Sequence, residues 1–273
     1  MDVREEFSRV GEAVVREAGV YLRANLGRRV EASFKGAVDL VTPFDFGAQE
    51  ILVSRLAAAF PTHGFLAEEG LARQGSSDCR WIIDPLDGTT NFAHAFPVFS
   101  VSAALECAGR LVLGFVYDPM RDEMFRAEAG RGAFLNGAAV RVSGVADLGK
   151  SLLATGFPYD LRTSNVNNLG HWGRFVFRAQ AIRRCGSAAL DLSYVACGRF
   201  DGFWELKLKP WDVAAGALMV AEAGGLVTDL GGKPFALEAP GIVATNGLVH
   251  PEMLEVLNVR RTKGGSDGEG GNT

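Results

Sequence analysis

The stretch WIIDPLDGTTNF, Trp81 to Phe92, decides how the rest of the chain is read. Trp81, Ile82 and Ile83 form a short apolar run, the end of a buried strand. Asp84 and Asp87 follow, separated by Pro85 and Leu86. Gly88, Thr89, Thr90 and Asn91 then supply a tight turn and a helix start. Carboxylates at the mouth of a buried strand are costly unless something positive pairs with them, and the stretch holds no Lys or Arg. A hard divalent cation would serve, because Mg²⁺ takes oxygen ligands and is held by one or two carboxylates plus substrate phosphate. The Gly88-Thr89 backbone would offer N–H groups at a helix N-terminus, where anions bind. The same residues also fit a strand ending in an Asp-Pro turn, with Asp87 or Thr89 as an ordinary cap. The stretch alone does not choose between the two.

The surrounding chain narrows the choice. Its 273 residues, 48% hydrophobic, suffice for one large domain or two intimate ones. A formal charge of −4 speaks against general nucleic-acid binding, which needs a basic face. An acidic protein that acts on a phosphate must invert the local field, and bound cations do that. Cys79, Cys107, Cys185 and Cys197 form no C-x-x-C pair. They read as buried reduced thiols rather than a zinc site or a disulfide framework. The N-terminus lacks a basic start followed by an apolar core, and no run approaches the ~18 apolar residues of a membrane span. A soluble, cytoplasmic protein is expected.

Residues Val3 to Leu26 carry Phe7, Val10, Val14, Ala18, Tyr21 and Leu22 at helical spacing. A loop or β-excursion follows around Lys35 and Gly36. Thr42 and Pro43 open a second helix as N-cap and first helical residue, and Phe60-Pro61 ends it. Phe65 to Ala67 is a short strand leading to Glu68 and Glu69. Phe99 to Val142 reads as an antiparallel meander, with Asn136-Gly137 as a hairpin turn. Leu152 to Ala154 is a strand, Leu169 to Ala181 a helix, Ser187 to Ala196 a helix and Phe200 to Leu208 a strand. Trp211 to Ala223 is a helix closed by Gly224-Gly225. Strands at Gly225 to Asp229 and Gly241 to Ala244 precede a last helix, Pro251 to Leu257. The expected organisation is an antiparallel-rich α+β lobe over residues 1–145, an α/β lobe over 146–262 and a disordered, Gly-rich polar tail over 263–273.

From Trp81 through Phe92 the chain resembles the inositol monophosphatase signature W-x-x-D-P-x-D-G-T-x-N-F, which His94 and Pro97 extend. KPWDVAAGALMVAEAGG, Lys209 to Gly225, resembles the family's second signature, W-D-x-A-A-G followed by E-A-G-G. AEEG at Ala67 to Gly70 and DLVTPFD at Asp39 to Asp45 resemble its two remaining acidic segments. The resemblance covers nearly the whole chain apart from the tail. It implies a layered αβαβα sandwich with the site at the junction of the lobes. It also implies two to three Mg²⁺ ions, lithium sensitivity and a homodimer.

The resemblance further implies roles. Glu68, Asp84 and the Leu86 carbonyl would hold one Mg²⁺, and Asp84, Asp87 and Asp212 a second. A third, weaker Mg²⁺ would sit near Glu68. Thr89 and Asp45, with Glu68, would be the catalytic group that prepares a water for direct attack, since no nucleophilic Ser or Cys motif is evident. Asp87, Gly88, Thr89 and Asp212 would contact the phosphate and the leaving oxygen. Gly186, Ser187, Ala188 and Glu205 would line the substrate ring, and Lys35 would sit on a mobile loop. Each has a plainer alternative. Asp45 with Thr42 fits a capping box, Asp212 a helix cap, Glu68 an exposed loop, Glu205 an outward strand position and Lys35 a solvated side chain. His94 suits a structural hydrogen bond better than a Mg²⁺ site. The expected reaction is hydrolysis of inositol monophosphate to inositol and phosphate. TTNF favours this branch over the nucleotide bisphosphatase and histidinol phosphatase branches. Fructose 1,6-bisphosphate and other small sugar or nucleotide phosphates are the rival substrates, and a regulatory binding protein on the same fold is the rival class. No nucleic-acid or membrane partner is expected.

Overall fold

The first helix, α1 (Val3–Asn25), follows the predicted periodicity, with Val14, Val15, Ala18 and Leu22 buried. These positions belong to a computed structural model that describes residues 3–28, 33–34 and 40–258. The expected β-excursion is a short hairpin, β1 (Ser33–Phe34) and β2 (Leu40–Val41). Lys35, Gly36 and the tail lie outside the described residues. Helix α2 (Pro43–Ala59) opens on the capping box read from the sequence: Asp45 accepts from the Thr42 N–H at 2.8 Å and Phe44 N–H donates to the Thr42 hydroxyl at 3.2 Å.

The first sheet is built on β5 (Cys79–Asp87). Strand β3 (Gly64–Ala67) pairs parallel to it, with β4 (Ala72–Arg73) at the edge. After the short helix α3 (Thr89–Ala93), the meander continues as β6 (Ser100–Cys107), β7 (Arg110–Asp118), β8 (Glu123–Glu128), β9 (Gly132–Leu135) and β10 (Ala138–Val140). The order is β10-β9-β8-β7-β6-β5-β3-β4. Asn136 and Gly137 have φ of 49° and 82° at the β9–β10 turn, the left-handed pair that a tight hairpin requires.

The second sheet contains β11 (Leu152–Thr155), β12 (Ala181–Arg183), β13 (Gly202–Leu206), β14 (Leu226–Thr228) and β15 (Gly241–Thr245), in the order β12-β11-β13-β15-β14. Helices α5 (Ala188–Ala196) and α6 (Pro210–Glu222) lie between the sheets, and α4 (Leu169–Val176) and α7 (His250–Asn258) cover the far side. With α1 and α2 on the near side, the layers run αβαβα. Among the described residues no helix is long and apolar enough to cross a membrane.

Strand alternation explains how the layers adhere. Ile83 and Trp81 face α1 and α2, whereas Ile82 faces α5 and α6. Every residue of α5 is buried, as a helix between two sheets must be. Small residues make room there: a Cβ on Gly216 would come within 2.5 Å of Leu192 Cβ, and one on Gly114 within 2.9 Å of the Ala215 carbonyl.

Two expectations are corrected. The helix predicted through Ala181 stops at Val176, and Ala181–Arg183 becomes β12, paired parallel to β11. Pairing with a distant strand overrides a local pattern too short to separate helix from strand. Cys79 and Cys107 are not free thiols but are disulfide-bonded; only Cys185 and Cys197 are free. The β5–β6 register sets the pair opposite each other with a Cα–Cα distance of 4.1 Å. Register is not visible in cysteine spacing.

Candidate active site

The first acids come from a fault in the β5–β6 ladder. Asp84 pairs with Ser102 and Asp87 with Ser100, so the register slips between them. Pro85 has no N–H for the ladder, which suits a bulge. The Leu86 N–H folds back onto Asp84 Oδ1 at 3.0 Å, and the Leu86 carbonyl accepts the Thr89 hydroxyl at 3.0 Å.

Two other elements bring their acids to the same place. Glu68 follows β3, and its N–H donates to the Ile83 carbonyl at 3.1 Å, which sets it beside Asp84. Asp212 stands in the first turn of α6, where its carboxylate accepts from the Lys209 N–H at 2.7 Å. Asp84 is held well above the usual carboxylate range, first by burial and then by the charges of Glu68, Asp87 and Asp212. Asp212 is likewise raised by burial, against the Lys209 N–H, with Asp87, Glu68 and Glu205 adding to the rise. None of the leading influences on Asp84 is a cation.

This donor set fits Mg²⁺. It offers carboxylate and carbonyl oxygens, and the buried like charges need a positive partner. Among the described residues no three His, Cys, Asp or Glu side chains are drawn into one ready-made metal cluster. The acids lie within electrostatic reach of one another, and the Glu68 and Asp84 side chains are near enough to hydrogen-bond.

Asp45 and Thr89 meet at the edge of this group. The Thr89 hydroxyl lies 3.0 Å from Asp45 Oδ1 and 3.0 Å from the Leu86 carbonyl. Its one proton is directed to those acceptors, so its oxygen can accept from a water. Burial raises Asp45, opposed by the hydrogen bonds from Thr42 and Thr89. Thus Asp45 both caps α2 and faces the site.

The Gly186 to Ala188 segment reaches the site at Asp87. The Ser187 hydroxyl and the Ala189 N–H donate to Asp87 Oδ2 at 2.6 and 2.8 Å, and the Ala188 N–H to Oδ1 at 3.3 Å. These donors grip Asp87. Gly88, at φ 104°, lies where two loops converge: a Cβ there would sit 3.1 Å from both the Gly186 and Val98 carbonyls.

Glu205 is buried on β13, not outward-facing. Its carboxyl is pushed up to about 8 by burial, with Arg184 opposing and Asp191 and Asp87 adding to the rise. It packs over Gly156, where a Cβ would collide at 2.2 Å with Oε1. Arg184, Asp191, Gly156 and Ser100 carry no role in the sequence reading, and no local pattern marks them; Asn91 enters it only as a turn residue of the signature. Asp191 is buried with Oδ1 unpartnered. Burial, then Asp191, pushes the Cys185 thiol to about 12, which leaves it un-ionised. His94 sits exposed at the end of α3.

A cleft of about 720 Å³ lies elsewhere, between α1 and β8–β9. Its Arg16 and Arg131 are committed to Asp122 at 2.6 Å and Glu128 at 3.0 Å. Charge, not cleft size, marks the site.

Residues 3–262 match the inositol monophosphatase family profile. The Nus factor SuhB of Pseudomonas aeruginosa is 48% identical over 233 residues, 84% of this chain and 86% of that protein. The inositol-1-monophosphatase of Mesorhizobium japonicum is 42% identical over 244 residues, 88% and 92% of the two chains. The crystal structure of the extragenic suppressor protein suhB from Bartonella henselae superposes with a TM-score of 0.87 at 41% identity, covering 92% of this chain and 98% of that one.

Proposed function

Because this chain belongs to the inositol monophosphatase family, we propose that it is a Mg²⁺-dependent phosphomonoesterase that converts inositol monophosphate to inositol and phosphate by direct attack of water. The observation that carries this reading is the meeting of Glu68, Asp84, Asp87 and Asp212, from β3, β5 and α6, beside the Asp45–Thr89 pair. Glu68, Asp84 and the Leu86 carbonyl would hold one Mg²⁺, and Asp84, Asp87 and Asp212 a second, with a third, weaker position expected near Glu68. When bound, Mg²⁺ supplies Lewis acidity and neutralises charge on the phosphate.

The chain's own residues do the rest. Thr89, its proton engaged by Asp45 or Leu86, accepts from the attacking water and orients it. The Gly88 and Thr89 N–H groups, which lack intrahelical acceptors, hold the phosphate. Asp212 faces the leaving oxygen, and Glu205 bonds the hydroxyls of the polyol. Such positioning suits phosphoryl transfer, whose loose transition state leaves little covalent work for the protein. A homodimer in the cytoplasm belongs to the same proposal. Leu169, Val176 and Phe177 support the dimer, being large apolar side chains left exposed along α4 and its C-cap, Phe177 by 88%.

Phosphate release should be measured with and without Mg²⁺ on inositol monophosphate, fructose 1,6-bisphosphate, other sugar phosphates and nucleotide phosphates. Inositol monophosphate should lead, with inhibition by Li⁺. Mg²⁺-dependent release led by another ester would move the substrate assignment, and none on any ester would end the proposal. The relatives named Nus factor SuhB favour a second reading, a regulatory binding role on the same fold. A variant that releases no phosphate but keeps that role in cells would separate the two.

A further inference from the structure

We propose that Asn91 is a positioning residue: its carboxamide seats the 185–189 turn on Asp87 and thereby sets the affinity of the second metal position. The inference rests on the Mg²⁺ phosphatase reading above. Asn91 Nδ2 donates to the Val98 carbonyl at 2.7 Å and to the Cys185 carbonyl at 2.8 Å. Both protons of that nitrogen are therefore committed, and both acceptors lie outside its own helix, α3. One belongs to the chain entering β6 and the other to the chain entering α5.

From Cys185 the chain turns through Gly186, at φ 89°. A Cβ on Gly186 would sit 2.7 Å from Arg184 Nη1 and 2.9 Å from Asn91 Nδ2, so the guanidinium and the amide together fill the space under the turn. One residue later Ser187 and the first N–H groups of α5 reach Asp87. Ser100 braces the far side: its hydroxyl lies 3.2 Å from that of Ser187. Asp87 Oδ2 takes the short bonds, at 2.6 Å from Ser187 and 2.8 Å from Ala189. Oδ1 has one long contact, 3.3 Å from the Ala188 N–H. The turn thus fixes the rotation of the carboxylate and decides which oxygen keeps lone-pair capacity for a cation. Residues that orient a ligand in this way typically change metal affinity ~10–100-fold when removed.

The test titrates the metal alone, using Mn²⁺ as an EPR-visible stand-in for Mg²⁺, into substrate-free wild type, Asn91→Ala, Ser187→Ala and the double variant. Phosphate release is then measured against Mg²⁺ concentration. Asn91→Ala should weaken one binding event about tenfold or more and spare the other. It should raise the Mg²⁺ needed for half-maximal rate by a similar factor. Ser187→Ala should weaken the same event, and the double variant should lose less than the product of the two factors, because both act through one turn. The inference is overturned if Asn91→Ala weakens neither event or both alike, or if the two losses multiply. Should Asn91→Ala fail to fold, Ser187→Ala decides alone: an unchanged titration overturns the inference. Absence of any metal uptake by wild type overturns the phosphatase reading and this inference together.

Discussion

Replacing Asp84 by Asn should stabilise the metal-free protein while abolishing its catalysis. Asp84 is 2% exposed and shares its surroundings with Glu68, Asp87 and Asp212. Asn keeps the shape and still offers an Oδ1 to the Leu86 N–H, now bonded at 3.0 Å. Only the charge is lost. At an effective dielectric of ~20, a like charge a few ångströms away costs on the order of 2–4 kcal/mol. Proton uptake by the crowded acids relieves much of that near neutral pH. A residual gain of about 1–3 kcal/mol is expected for Asp84→Asn. In a chain of this size that raises Tm by roughly 2–4 °C per kcal/mol. Mg²⁺ should reverse the order. At ~100 times its Kd it adds about 2.7 kcal/mol to wild type and little to the variant, which lacks the acid common to both proposed metal positions. Turnover should fall by at least ~10³-fold, since one oriented donor alone is worth ~10²–10³. Thermal melts with and without Mg²⁺, paired with phosphate release, test all three. A metal-free variant less stable than wild type, or equal stabilisation of both by Mg²⁺, would refute the reasoning.

Three further outcomes are expected. Glu205, held at about 8 against an ordinary value of 4.5, contributes stability that is full below 4.5 and is lost as pH rises through 8, up to about 5 kcal/mol. Glu205→Gln should flatten that fall in urea midpoints of metal-free protein between pH 5 and 9; parallel curves would contradict it. Gly156→Ala would set a Cβ 2.2 Å from Glu205 Oε1 and displace the carboxylate, so KM for inositol monophosphate should rise more than KM for an aryl phosphate without hydroxyls. Equal changes would remove Glu205 as a hydroxyl reader. Thr42→Ala should cost ~1 kcal/mol of stability through the lost cap with a modest loss of turnover, whereas Asp45→Asn should lose turnover far more than stability. The reverse pattern would make Asp45 a cap alone.

Several elements are legible because their causes are local. The Thr42-Pro43 start, the Asn136-Gly137 turn and the apolar stripe of α1 each depend on neighbours a few residues away. They appear where predicted. The signature acids are legible for a related reason: Asp84, Pro85 and Asp87 create their own bulge. Glu68 and Asp212 carry no local mark; only the family resemblance points to them. Folding then brings both beside Asp84.

Other features depend on pairings that no short window contains. Strand β12 exists because β11 accepts it. The disulfide joins residues separated by 28 positions, opposed by register. The Ser187 grip on Asp87 spans 100 positions, and the Asn91 bond to Cys185 spans 94. Glu205 shows the division within one residue. Its identity and its place on a strand are sequence facts. Its burial over Gly156, and hence its raised affinity for a proton, arise only when two sheets close around α5 and α6. Sequence alone determined the chemical type of each candidate acid, the caps, the turns and the order of most elements, since those follow from side-chain chemistry and short-range sterics. Tertiary structure decided which acids share a field, which donors hold them and which thiols meet, because those depend on distances set by packing between segments far apart in the chain.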